Sequence, residues 1–120
     1  MLEKVSRMAL LQDFYGGLLT DKQRRMFELY YDHNLSLGEI AEQCGISRQA
    51  VHDLLRRSEK LLESYEVRLG LVSKFQENQS KIQETLDWLG TLNQDEEGNE
   101  IVNRITRLLY DILDVEDAID

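Results

Sequence analysis

Residues 37–54 read LGEIAEQCGISRQAVHDL, and this stretch decides the fold. It has the form of two helices joined by a tight turn. Ser36 stands before the first helix and Glu39 three residues later. That is the spacing at which each side chain satisfies the other's backbone N–H. Leu35 and Ile40 flank this start as a hydrophobic staple. Gly45 can adopt the left-handed conformation that ends a helix and redirects the chain, at less cost than a residue with a Cβ. Ser47 caps the second helix, with Ile46 and Val51 as a second staple. Ile40, Ala41 and Cys44 share one face of the first helix, and Val51, Leu54 and Leu55 share one face of the second. Ala41 is small where the two would cross, so the backbones can approach closely.

Outward from this core, apolar residues recur at helical spacing almost throughout the 120 residues, and there is no proline. The predicted class is all-α: a helix-turn-helix with a long second helix and a C-terminal helical extension. Upstream, residues 2–15 form a first helix. Leu2, Val5, Met8, Ala9 and Gln12 make its inner stripe, widened by Leu11, Phe14 and Tyr15. Gly16–Gly17 stops it. Thr20 opens the next helix, with Gln23 in the capping-box position and Met26, Phe27 and Tyr30 on the buried face. Arg24 and Arg25 project from it, as phosphate contacts or as a solvated face. His33–Asn34 closes it.

Downstream, the second motif helix runs to about Leu69. Val51, Leu54, Leu55, Ser58, Leu61, Leu62 and Tyr65 gather on its inner side. Gly70 ends it or lies inside a longer helix, and Ser73 is a candidate cap for a new start. Leu71, Val72, Phe75, Ile82, Leu86 and Leu89 form a second apolar stripe that needs a partner. Trp88 is a candidate anchor at an interface, or core. Residues 90–99, GTLNQDEEGN, read as an acidic linker. A last helix is expected from Glu100 to Leu113, with Arg104 and Arg107 facing out. Acid disfavours a helix C-terminus, so the expectation is a stop near Leu113 and a mobile tail. The predicted organisation is a helix-turn-helix domain over 1–70 and a C-terminal helical oligomerisation region with an acidic tail over 71–120.

Charge is unevenly spread. Residues 1–70 carry ten Lys and Arg against eleven Asp and Glu, a balance of −1, and residues 71–120 carry four against twelve, a balance of −8. The helix-turn-helix half is neutral, whereas nucleic-acid readers usually carry a basic footprint. Any such footprint here depends on local clustering. The outer face of the second motif helix supplies it: Gln49, His52, Asp53, Arg56 and Lys60, with Arg48 and Arg57 at the flanks. Gln49 suits adenine, Arg48 and Arg56 suit guanine or phosphate, and Lys60 suits phosphate. Asp53 opposes phosphate and accepts from cytosine at best.

Other chemistry finds no support. One cysteine, Cys44, permits no internal disulfide, which suits a reducing compartment. It reads as apolar packing. There is no metal-ligand spacing, phosphate loop or nucleophile–base setting, so neither metal, cofactor nor enzymatic activity is expected. No leader is evident, and no apolar run approaches the roughly 18 residues that span a bilayer. The expectation is a cytoplasmic protein.

The motif resembles the fourth region of bacterial sigma factors, LSxxEIAxxxGISxxxV, with Ile40, Ala41, Gly45, Ile46, Val51 and Leu54 in place. A closer resemblance covers residues 2–70. LLQDFYGGLLTDKQ, ELYYDHNLSLGEIAE and GISRQAVHDLLRRSEKLLESYE are similar to the YlxM family of small bacterial helix-turn-helix proteins. It fades over 71–120. The resemblance implies a link with the signal recognition particle and a regulatory role, and it carries over no catalytic residue. The expected function is a regulatory nucleic-acid-binding protein, for DNA or RNA, homodimeric through its C-terminal helices. The alternative is an adaptor of the same fold that binds particle components or RNA polymerase.

Overall fold

A computed structural model describes residues 2–93 and 95–117, and for 114–117 the backbone only. Among the described residues there are six α-helices, one 3-10 turn at Gly16–Leu18, and no strand. The helices are α1 (Leu2–Tyr15), α2 (Asp21–Tyr31), α3 (Leu37–Cys44), α4 (Arg48–Leu69), α5 (Leu71–Leu89) and α6 (Glu96–Asp117). Backbone contacts divide the chain into two compact units, one up to Val72 and one from Ser73 onward.

In the first unit, local chemistry sets the helix ends. Thr20 and Gln23 form a reciprocal capping box at α2, and Ser36 and Glu39 do the same at α3. Each leaves two fewer orphan N–H groups at a helix start. Gly45 ends α3 at φ +67°, in the left-handed region where a Cβ is penalised. The Ser47 hydroxyl then accepts the Ala50 N–H at 3.0 Å and starts α4. The interval between the two helices is three residues, so α3 must fold back against the first half of α4.

Two apolar clusters hold this unit. One gathers Met26, Leu29, Ile40, Ala41, Val51 and Leu55, which tie α2 and α3 to the first half of α4. The other gathers Met8, Leu11, Tyr15, Leu19, Phe27, Leu62 and Val72, which tie α1 and α2 to its second half. Helices α2 and α4 therefore frame both cores. Phe27 and Leu62 are completely buried, and each such burial is worth roughly 1.5–3 kcal/mol. Ser58, also completely buried, lies on α4 between Leu55 and Leu62. Its hydroxyl donates to the Leu54 carbonyl at 2.9 Å, so no polar atom is left orphaned there.

Several expectations are corrected. On α1 the inner stripe is Met8, Leu11 and Tyr15, while Leu2 and Val5 are exposed. Ala9 is exposed as well. The stripe traced through Leu2, Val5 and Ala9 follows helical spacing, but α4 covers the face beside it. Gly70 does end α4, at φ +64°. The next helix begins at once with Leu71, so Ser73 lies inside α5 and does not cap it. The Leu71 N–H donates to the Tyr15 hydroxyl at 3.1 Å, and the Val72 N–H donates to the Glu66 carboxylate at 3.0 Å. Side chains from α1 and α4 thus do the work expected of Ser73.

In the second unit, α5 turns Leu86 inward, with Phe75, Ile82 and Leu89 half-buried. Trp88 lies on the opposite face of α5 and is exposed, so it is not core. The last helix starts at Glu96, not Glu100, because Asp95 caps it: its carboxylate accepts the Gly98 N–H at 2.7 Å. Three acids, Glu96, Glu97 and Glu100, then stand near the positive end of the helix. It continues past the expected stop at Leu113 to Asp117. The part of the acidic tail beyond Asp117 lies outside the described residues.

Candidate nucleic-acid interface

The first three turns of α4 present a polar face away from Val51 and Leu55. Arg48, Gln49, His52, Asp53, Arg56, Arg57 and Lys60 are all exposed there. The structure brings them together in two adjoining shallow grooves that share His52. One is lined by Leu37, Arg48, Gln49 and His52. The other is lined by His52, Asp53, Arg56, Arg57 and Lys60. Leu37, in the first turn of α3, borders the grooves. Its place was hidden in the sequence because it reads as an ordinary apolar helix residue.

Asp53 sits at the centre of the face. Its Oδ1 accepts from Gln49 Nε2 at 3.1 Å, one helical turn away, and lies 3.5 Å from His52 Nδ1. This partly occupies Gln49. With one N–H of its amide held by Asp53, its second N–H and its carbonyl oxygen are left to meet a ligand.

The cations on this face behave differently from those elsewhere in the unit. Glu59 follows Arg56 by three residues and Glu63 follows Lys60 by three. Both carboxylates are therefore at the spacing of intrahelical ion pairs. Each is claimed from outside α4 instead. Glu59 pairs with Lys4 at 3.5 Å and accepts from the Tyr31 hydroxyl. Glu63 takes a two-pronged hydrogen bond from Arg7, both arms at 2.8 Å. That hydrogen bond holds the Glu63 carboxyl below the usual carboxylate range and raises the Arg7 guanidinium above its own. Among the described residues, Arg48, Arg56, Arg57 and Lys60 make no ion pair. Four cations are left facing solvent on one side of one helix.

Arg24, considered as a phosphate contact, pairs with Asp21 at 2.6 Å, and Arg25 is exposed. Cys44 is half-buried against the α3–α4 core. Among the described residues no group of three metal-ligating side chains comes together. Among the described residues, too, no helix is long and apolar enough to cross a membrane.

A family model matches residues 2–110; its description is "UPF0122: Putative helix-turn-helix protein, YlxM / p13 like". The chain belongs to this family. The match runs well past residue 70, so the family likeness includes α5 and most of α6, where the sequence motifs had faded. Similar UPF0122 proteins include one from Bacillus mycoides strain KBAB4, 49% identical over 111 residues, covering 90% of this chain and 99% of that one. One from Desulforamulus reducens is 49% identical over 88 residues, covering 73% and 75%. One from Caldanaerobacter subterraneus subsp. tengcongensis is 60% identical over 76 residues, covering 63% and 65%. The UPF0122 chain is thus an all-α helix-turn-helix protein of this kind.

Proposed function

We propose that this UPF0122 protein is a non-enzymatic, cytoplasmic regulator that binds nucleic acid through the outer face of α4. The observation that supports it is the set of unpaired cations, Arg48, Arg56, Arg57 and Lys60; the carboxylates next to Arg56 and Lys60 are taken by Lys4 and Arg7 of α1. Phosphates supply most of the affinity of such a surface, and base edges meet the residues nearest the helix start. Arg48, Gln49 and His52 are those residues here, with Arg56, Arg57 and Lys60 placed for phosphate. Helix-turn-helix proteins lay the second helix in the major groove in this way. The resemblance to YlxM proteins supports the further reading that this protein acts in the signal recognition particle pathway, as a regulatory partner of that particle's components. The C-terminal unit carries self-association into a homodimer.

The test is an electrophoretic shift of the purified protein against the particle's RNA and a random DNA duplex at two salt concentrations. Binding that weakens with salt and is lost in Arg48→Ala/Arg56→Ala supports the reading. No difference between the variant and the parent protein on any nucleic acid at low salt overturns it.

A second reading rests on the −8 balance of residues 71–120: an adaptor of the same fold that binds protein. Partners that survive nuclease treatment in a pulldown favour it, and their disappearance counts against it.

A further inference from the structure

The first turn of α3 and the first two turns of α4 share one shallow groove, lined by Leu37, Arg48, Gln49 and His52. Leu37 is half-buried: it packs on the core shared by α2, α3 and α4, and it is also the apolar wall of this groove. The other three walls are polar. All three lie at the start of the second motif helix, the part that meets base edges. Arg56, Arg57 and Lys60 lie farther along, in the adjoining groove.

Gln49 is not free to turn its amide. Its Nε2 donates to Asp53 Oδ1 at 3.1 Å. The opposite orientation would set two oxygens against each other, so Asp53 fixes which end of the amide is which. His52 Nδ1 lies 3.5 Å from the same Asp53 oxygen. Gln49 then offers a ligand one acceptor and one remaining donor. In the major groove adenine presents N7 as an acceptor and its N6 amino group as a donor, and so matches both. Guanine presents two acceptors, cytosine a donor alone and thymine an acceptor alone, so each leaves part of the amide unsatisfied. The thymine paired with adenine carries a 5-methyl group on the same side of the base pair, which suits the apolar Leu37 wall.

Duplex DNA fits this arrangement on two counts. Its major groove is about 12 Å wide, close to the roughly 10–12 Å of a helix with its side chains. The major groove of an RNA duplex is deep and narrow, and uracil lacks the methyl group. We infer that the groove between α3 and α4 reads an A·T base pair in the major groove of duplex DNA, Gln49 taking the adenine edge and Leu37 the thymine methyl, with Asp53 as the positioning residue that fixes the Gln49 amide. This rests on the nucleic-acid reading above and names the nucleic acid.

Selection from a pool of randomised DNA duplexes tests it, followed by anisotropy titration of the enriched duplex, with circular dichroism to check that each variant is folded. The parent protein is expected to enrich an A·T pair at one position, and Gln49→Ala to lose that preference. Replacing the pair by G·C should weaken parent binding about tenfold. Replacing its thymine by deoxyuridine should weaken it about threefold, the worth of one methyl group, and Leu37→Ala should not respond to that replacement. The deoxyuridine test on the parent protein stands even if Leu37→Ala does not fold. Asp53→Asn keeps an oxygen for the Gln49 N–H and should keep the A·T preference, whereas Asp53→Ala, with the same loss of charge, should blunt it. An A·T preference that survives Gln49→Ala overturns the inference. An equal response of Asp53→Asn and Asp53→Ala overturns the positioning role. A parent protein that binds duplexes with no base preference, or binds RNA and no duplex DNA, leaves nucleic-acid binding standing and overturns this groove as a reader. Binding to neither overturns both readings.

Discussion

Tyr15→Phe removes a single oxygen from the joint between α4 and α5. The Tyr15 hydroxyl donates to Glu66 Oε1 at 2.6 Å and accepts the Leu71 N–H at 3.1 Å. The same Glu66 oxygen accepts the Val72 N–H at 3.0 Å. Both N–H groups belong to the first turn of α5, where no intrahelical acceptor exists. Phenylalanine keeps the ring and its packing against Phe14 and Tyr65. What is lost is a hydrogen bond to a charged acceptor, about 1.5–3 kcal/mol, and one to a neutral donor, about 0.5–1.5 kcal/mol. Leu71 is partly exposed, so water recovers some of this. The net cost expected is about 2 kcal/mol, or roughly 10 °C in Tm for a unit of this size. Urea titration followed by circular dichroism measures it. Combination with Glu66→Gln in a double-mutant cycle should show coupling of about 0.5 kcal/mol or more. Burial and the Glu66 hydrogen bond also hold the Tyr15 phenol above its ordinary range. That contribution is complete below about pH 10 and is lost as pH rises further, and the variant should lack this alkaline loss. A Tyr15→Phe protein within about 0.3 kcal/mol of the parent, or no coupling to Glu66, refutes the joint.

Three further outcomes follow from the geometry. Gly45→Ala should cost about 1–2 kcal/mol in denaturant titration, because φ is +67° with open space around the new Cβ; Gly17→Ala, also in open space but with no positive φ, should be close to neutral and serves as the control. Arg7→Met should lose the contribution of the depressed Glu63 carboxyl, worth less than about 1 kcal/mol because both side chains are well solvated. That contribution is present above the ordinary carboxylate value of about 4.3 and lost as pH falls below it. The gap between parent and variant should therefore close from about pH 5 down to pH 3 in acid titrations. Asp53→Asn takes a negative charge out of the α4 groove and should tighten nucleic-acid binding several-fold at low salt, less at high salt, by anisotropy titration. Unchanged affinity would place the bound strand away from Asp53.

The helix-turn-helix was legible in the sequence because its signals are local. The Ser36–Glu39 box, Gly45 and Ser47 each fix a backbone conformation within three or four residues, and the structure carries all of them. The exposed face of α4 was legible too, since a 22-residue helix with one apolar stripe leaves the rest to solvent. Long-range partners were not. Nothing in LEKVSRM shows that Lys4 and Arg7 will reach Glu59 and Glu63, more than fifty residues away, and so leave Arg56 and Lys60 unpaired. The start of α5 was misplaced for the same reason. Its first N–H groups are satisfied by Tyr15, far off in the chain, and by Glu66, not by the nearby Ser73. The extent of α6 was underestimated at both ends. Asp95 supplies a cap inside a stretch read as linker, and the apolar stripe carries the helix on despite the acids at its end.

The unpaired cations of α4 are proposed to bind nucleic acid. The most direct measurement is the affinity of the parent protein and of Arg48→Ala/Arg56→Ala for the signal recognition particle RNA and for a DNA duplex, each at two salt concentrations. Salt-sensitive binding to one of them is expected, with the double variant weaker and its salt dependence shallower by about one phosphate contact, that of Arg56. Equal affinity of parent and variant at low salt, on both nucleic acids, would contradict it.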